Sequence, residues 1–174
     1  MSFYAAKEII PNLWIGSAAN GDGHRQTAPE WQRAKNIKLV VNCTRDIHFV
    51  KNGANHYRVP VDDHPDENSN ILAHWQVLMP IIRDYLFHRQ PVLVHCYAGI
   101  QRSAATVAAF LMYDTAEHHR RTGEKPRPMR PIDALRFIKK RKPETFDRKP
   151  TFILALKEYY AALHGGSKHA FKTM

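Results

Sequence analysis

Residues 91–103 read Pro91-Val92-Leu93-Val94-His95-Cys96-Tyr97-Ala98-Gly99-Ile100-Gln101-Arg102-Ser103. The short apolar run Val92–Val94, opened by a proline, has the character of a strand buried on both faces. After Ser103 the chain turns rich in Ala, Val and Leu, as a buried helix requires. A strand, a tight loop and a helix N-terminus therefore follow one another, with a cysteine and an arginine at the two ends of the loop. In that arrangement the intervening backbone N–H groups can all turn toward a single anion.

Each residue type in the loop has a chemical use. Inward N–H groups and the positive end of a helix favour the thiolate form of a cysteine, which makes Cys96 a candidate nucleophile. The same nest of N–H groups, running through Tyr97, Ala98, Gly99, Ile100 and Gln101, suits the non-bridging oxygens of a phosphoryl group. Arg102 adds a planar fork that grips two such oxygens and follows them into a trigonal-bipyramidal transition state, which a lysine cannot do. Gly99 falls where the turn needs a positive φ or room for close approach. Ser103 is placed to donate to the sulfur and ease its departure. His95 is expected to orient the loop through its ring nitrogens, with no part in proton transfer. Tyr97 either borders the site or packs.

These residues resemble the His-Cys-x-x-Gly-x-x-Arg-Ser/Thr loop of the cysteine-based protein tyrosine phosphatase superfamily, and the Ala-Gly-Ile-x-Arg-Ser wording is most similar to its dual-specificity branch. The resemblance implies hydrolysis of phosphotyrosine and phosphoserine or phosphothreonine through a cysteinyl-phosphate intermediate, on a phosphorylated protein substrate, with no cofactor. It also implies a general acid, an aspartate just after an Ile/Val-Pro-x-x segment and about thirty residues before the cysteine. The acidic stretch Val61-Asp62-Asp63-His64-Pro65-Asp66-Glu67-Asn68 occupies that place. By the resemblance Asp63 is the acid, with Asp62 as its rival and Asp66 as a third candidate. Loop positions Tyr97, Ala98, Ile100 and Gln101 are uncharged, unlike the lysine-bearing loops of phosphoinositide-hydrolysing relatives. That favours phosphoprotein, and the lack of a long tyrosine-recognition insertion implies a shallow pocket.

Composition sets the remaining bounds. The chain has 174 residues and two cysteines, Cys43 and Cys96, with a formal net charge of +10. That length suits one domain with a proper core. The two cysteines, with no signal-like or membrane-spanning apolar run, suggest a cytoplasmic protein that does not enter the membrane. The histidines are scattered without ligand spacing, so no metal is expected. The basic balance favours acidic partners, nucleic acid among them, and keeps an RNA 5′-phosphatase as the alternative function. A catalytically dead phosphate-binding module would require loss of Cys96, Arg102 or the acid, and all are present.

Local patterns predict an α/β chain. Ile10–Ser17 resembles the opening strand pair of the dual-specificity fold, and a short helix over Pro29–Lys35, begun by Thr27, follows. Lys38–Cys43 reads as a buried strand and His56–Val61 as another. Apolar residues at helical spacing predict a helix over 69–88, capped by Ser69 and with Pro80 as a candidate kink. Further helices are expected from the loop to about Glu117, from Pro131 to about Lys140, and from Pro150 to His164. The basic stretch His118–Arg130 reads as a solvated loop, with a positive rim for an acidic protein or nucleic acid as its sharper reading. The expected whole is a single α/β domain of the protein tyrosine phosphatase-like, dual-specificity type, with a central, mostly parallel sheet flanked by helices. Residues 1–166 form the catalytic domain and 167–174 a disordered tail. Where the family often carries Pro-Asn before its last helix, this chain has Pro150-Thr151, a departure expected to leave the catalytic set untouched.

Overall fold

The computed structural model describes residues 5–165; the expected tail at 167–174 lies outside them. Five strands form one sheet: β1 (Lys7–Ile10), β2 (Leu13–Gly16), β3 (Leu39–Asn42), β4 (Asn55–Arg58) and β5 (Val92–His95), in the order β1-β2-β5-β3-β4. Only the β1–β2 hairpin is antiparallel. All other neighbours run parallel, as the sequence predicts. The strands β3 and β5 are buried at every position, because a parallel sheet covered on both faces leaves the central strands no polar side.

Helices cover the two faces unequally. On one face, Leu13, Ile15, Leu39, Val41, Val92 and Val94 join the large core beneath α3 (Asn68–Phe87), α4 (Arg102–Thr122), α5 (Pro131–Arg141) and α6 (Ile153–Leu163). On the other, the alternate residues Val40 and Leu93 pack with Trp14 and Trp31 beneath α2 (Thr27–Ala34), which follows the single turn α1 (Ala18–Gly21). The alternation along each strand is the period-two geometry of the pleat. Trp75, wholly buried on α3, donates its indole N–H to Thr106 Oγ1 on α4 at 3.1 Å, so the ring is buried without stranding a polar atom. Among the described residues no helix is long and apolar enough to cross a membrane.

Several boundaries differ from the sequence reading. Helix α4 continues to Thr122 and ends on Gly123 at φ 68°, so His118–Thr122 are helical and the basic loop is only 123–130. The last turn of α4 carries three cationic or titratable side chains, His119, Arg120 and Arg121. They sit against the negative end of the helix dipole, and Glu117 pairs with both arginines. The charge run is therefore compatible with helix, which the proline-containing segment after it is not. Helix α6 begins at Ile153 rather than Pro150, and α3 begins at Asn68 directly after a 3₁₀ turn over Pro65–Glu67, so Ser69 is inside the helix and is not its cap.

Because β2, β5, β3 and β4 run parallel, their C-terminal ends lie at one edge of the sheet. The loops leaving β5, β3 and β4 therefore converge there, where open α/β sheets bind their ligands. The basic loop at 123–130 follows the far end of α4, which at 21 residues is about 30 Å long. It is no rim of that edge.

Candidate active site

Cys96 leaves β5 at this edge and is 3% exposed. Its Sγ accepts the Gly99 N–H at 3.3 Å and lies 3.2 Å from Ser103 Oγ. Both groups approach from the start of α4, so the sulfur faces donors and the positive end of a 21-residue helix. Gly99 has φ 74°, and a Cβ there would sit 2.7 Å from the Gly16 carbonyl oxygen. Both reasons for a glycine hold at once.

The loop is braced from behind by a segment the sequence reading did not resolve. Ser17 caps α1, accepting from the Ala19 N–H at 3.2 Å, and Ala18 N–H donates to the Tyr97 carbonyl at 2.9 Å. Gly21 of the same turn lies against the His95 ring, so closely that a Cβ would come within 2.2 Å of it. His95 is wholly buried, and its Nδ1 donates to the Cys96 carbonyl at 3.2 Å. Burial pulls its pKa down to about 4. The ring is therefore neutral, with its hydrogen bond on the backbone of the cysteine loop. The Tyr97 side chain is 58% exposed, with the Arg25 guanidinium 6.0 Å from its ring; it borders the site and does not pack into the core.

Arg102 opens α4. Its Nη1 donates to the Val61 carbonyl at 3.0 Å, while its Nε is shielded from solvent and has no hydrogen-bond partner. A buried guanidinium N–H without a protein partner is costly. The Val61 contact also ties the acidic loop to the cysteine loop.

The three candidate aspartates stand in different surroundings. Asp66 is 91% exposed and Asp62 is 67% exposed, Asp62 with only a loose contact to Arg45 Nε at 3.4 Å. Asp63 is 26% exposed and is held on both oxygens, Oδ1 by the Thr151 hydroxyl at 2.7 Å and Oδ2 by Arg148 Nη2 at 2.5 Å. Thr151 therefore contacts the candidate acid, contrary to the expectation that Pro150-Thr151 would leave the catalytic set untouched. The loop's backbone is set by Glu67, whose carboxylate accepts from Asn70 Nδ2 at 2.6 Å, from Arg45 Nη2 and from the Asp62 N–H at 3.2 Å. These donors, Asn70 foremost, hold its pKa down to about 2.

The segment 142–152 joins the two loops. Phe146 N–H donates to the Ile100 carbonyl at 3.2 Å, and the Gln101 Oε1 accepts the Thr151 N–H at 3.2 Å. Arg148 and Thr151 of the same segment reach Asp63. Sequence reasoning missed Arg148 and Thr151 because they reach Asp63 across 85 and 88 positions, and Glu67, whose partners Asn70 and Asp62 are local, because one more acid in an acidic stretch reads as a solvated turn. The one available signal was Thr151 at the place where relatives carry Asn, since either side chain supplies a donor. Among the described residues no group of acids, histidines and cysteines could hold a metal ion. Cys43 is buried beside Thr106 Oγ1 at 3.6 Å, and burial pushes its thiol up to about 12, so it stays protonated in the core.

Over residues 21–162 the chain matches the family model of the dual specificity phosphatase catalytic domain. The chain belongs to this family. It is 35% identical over 109 residues to human dual specificity protein phosphatase 9, covering 60% of this chain and 26% of that protein. To mouse protein phosphatase Slingshot homolog 3 it is 34% identical over 108 residues, 62% of this chain and 16% of the relative. The chain thus spans between about a sixth and about a quarter of these relatives' length. The crystal structure of human DUSP28 superimposes with a TM-score of 0.71 at 28% identity, covering 94% of this chain and all of that one. A mouse putative dual specificity phosphatase complexed with zinc tungstate gives 0.71 at 28% identity over 91% and 88% of the two chains. The fold is therefore the one the cysteine loop implied.

Proposed function

We propose that this chain is a phosphoprotein phosphatase acting on phosphotyrosine and on phosphoserine or phosphothreonine, with residues 1–166 as one catalytic unit. The observation that carries the proposal is the Cys96 sulfur facing the Gly99 N–H and the Ser103 hydroxyl at the head of α4, the helix whose first residue is Arg102. That tungstate, a phosphate-shaped oxyanion, is found with a 28%-identical structural relative supports an oxyanion site in the same fold.

In this reading the phosphoryl group lies in the nest of Tyr97, Ala98, Gly99, Ile100 and Gln101 N–H groups, and Arg102 grips two equatorial oxygens. The Cys96 thiolate attacks phosphorus, forming an S–P bond as the ester P–O bond breaks. Asp63 gives its proton to the departing oxygen. Water then attacks phosphorus, its proton passes to the Asp63 carboxylate, and the sulfur leaves as a thiolate that Ser103 stabilises by hydrogen bonding. His95 orients the loop, and Glu67, Thr151 and Arg148 position the acid. The partner is a phosphorylated protein and the setting cytoplasmic.

RNA is the disfavoured substrate, because the family model is that of a dual specificity phosphatase and the two relatives above are named as protein phosphatases. Side-by-side turnover of phosphotyrosine, phosphoserine and phosphothreonine peptides and of 5′-triphosphate RNA tests the reading. Peptide turnover is expected on both residue classes, and turnover confined to RNA would overturn it.

A further inference from the structure

Beyond the phosphoryl pocket, the acid's outer side borders a groove of about 520 Å³, lined by Asp63, Pro65, Asn68 and the outward-facing residues between Arg148 and Lys157. Arg148, Lys149 and Lys157 supply its charge, while Pro150, Ile153 and Leu154 supply its apolar wall. Leu154 is 60% exposed, while Ala155, Leu156 and Tyr159 of the same helix are buried, so its side chain is on the open side of α6 and is available for contact. The groove's own carboxylate, Asp63, is already occupied by Arg148 and Thr151. Lys149 and Lys157 have no ion-pair partner among the described residues. A cationic floor with its one anion neutralised, beside an exposed leucine and adjoining the acid, is complementary to a chain that carries negative charge next to an apolar side chain.

Resting on the phosphoprotein reading above, we infer that this groove is a specificity subsite for an acidic residue flanking the phosphorylated one in the substrate. A peptide lying across the cysteine loop would pass Asp63 and place a carboxylate between Lys149 and Lys157, with a neighbouring apolar side chain on Leu154. The nest and Arg102 bind the phosphoryl group in any substrate. The groove contributes only when the flanking sequence is acidic, so its effect falls on KM and leaves kcat for small substrates alone.

The test is a series of phosphopeptides in which one glutamate is walked along either side of the phosphorylated residue, with lysine and alanine counterparts, assayed on the wild-type chain and on Lys149→Glu/Lys157→Glu. The wild type should favour glutamate at one stretch of positions by about three- to tenfold in kcat/KM, the scale of one or two exposed ion pairs, and the preference should weaken with salt. The double variant should shift the preference to lysine at those positions and hydrolyse a small aryl phosphate at the wild-type rate. Equal rates for glutamate and lysine peptides on both proteins would overturn the subsite while leaving the phosphatase reading intact. No turnover of the aryl phosphate by the wild type would instead overturn the phosphatase reading itself. A double variant that loses turnover of 5′-triphosphate RNA, with peptide preferences unmoved, would assign the groove to nucleic acid and overturn its assignment to an acidic peptide.

Discussion

At the scale of single residues, the site is held by a few contacts whose loss has calculable effects. Gly99 combines φ 74° with a backbone oxygen 2.7 Å from where a Cβ would be. A side chain in that conformation costs roughly 1–3 kcal/mol before any clash. Gly99→Ala is expected to lower the melting temperature by several degrees and to weaken orthovanadate binding, both measurable in one thermal-shift titration with and without vanadate. An unchanged melting temperature and undiminished vanadate stabilisation would show that the loop does not need this glycine. For Asp63, the expected signature is leaving-group dependence. General acid catalysis contributes about 10²–10⁴-fold, so Asp63→Asn should slow alkyl phosphates by about that factor and activated aryl phosphates far less. If Asp62→Asn shows the pattern and Asp63→Asn does not, the acid is the neighbouring residue.

At the scale of elements, the segment between α5 and α6 holds the acidic loop against the cysteine loop. Thr151 supplies one of the two donors to Asp63, and its own N–H returns to Gln101. Thr151→Val should therefore lower kcat on alkyl phosphates by about tenfold, the worth of one hydrogen bond to a charged group, with little change on activated aryl phosphates. Thr151→Ser should restore it. A valine variant that loses both substrates equally, or a serine variant that fails to rescue, would mean that Thr151 acts through packing alone. The contrast with the cysteine loop explains what was legible in the sequence. Cys96, Gly99, Arg102 and Ser103 lie within one strand–loop–helix turn, so local chemistry fixed their arrangement. Arg148 and Thr151 meet Asp63 across 85 and 88 positions, and no local pattern announces such contacts. The α4 boundary was misjudged for a different reason, because the arginines after Glu117 read as loop charge although they suit a helix C-terminus.

At the scale of the whole molecule, the parallel sheet and its two helical layers were predictable from alternating strands and helices. The division of the core between a large and a small cluster depends on side-chain direction across the sheet and was not. Burial of His95 at the sheet's C-terminal edge also gives the fold an acid sensitivity. Its pKa of about 4 lies below the ordinary 6.5, so the unfolded chain takes up a proton in that interval which the folded chain refuses. Stability should be full above pH 6.5 and fall as pH drops toward 4, by an amount on the order of 3 kcal/mol from this residue. Glu67, with a pKa of about 2 against an ordinary 4.5, extends the loss in the same direction between pH 4.5 and 2. Urea unfolding of the wild type and of His95→Asn across pH 4–7 checks this, with a shallower slope expected for the variant; parallel slopes would mean that His95 is not the group responsible.

Covalent catalysis requires Cys96 to form a bond to phosphorus, and a single substitution decides whether it does. Turnover of a phosphotyrosine peptide is measured for the wild type and for Cys96→Ser, with orthovanadate or tungstate binding as the control for an intact pocket. Serine keeps the shape of the site but is a far poorer nucleophile, so the variant should bind the oxyanion and show at least about a thousandfold less turnover. A well-folded Cys96→Ser protein that retains a tenth of wild-type turnover would contradict the account.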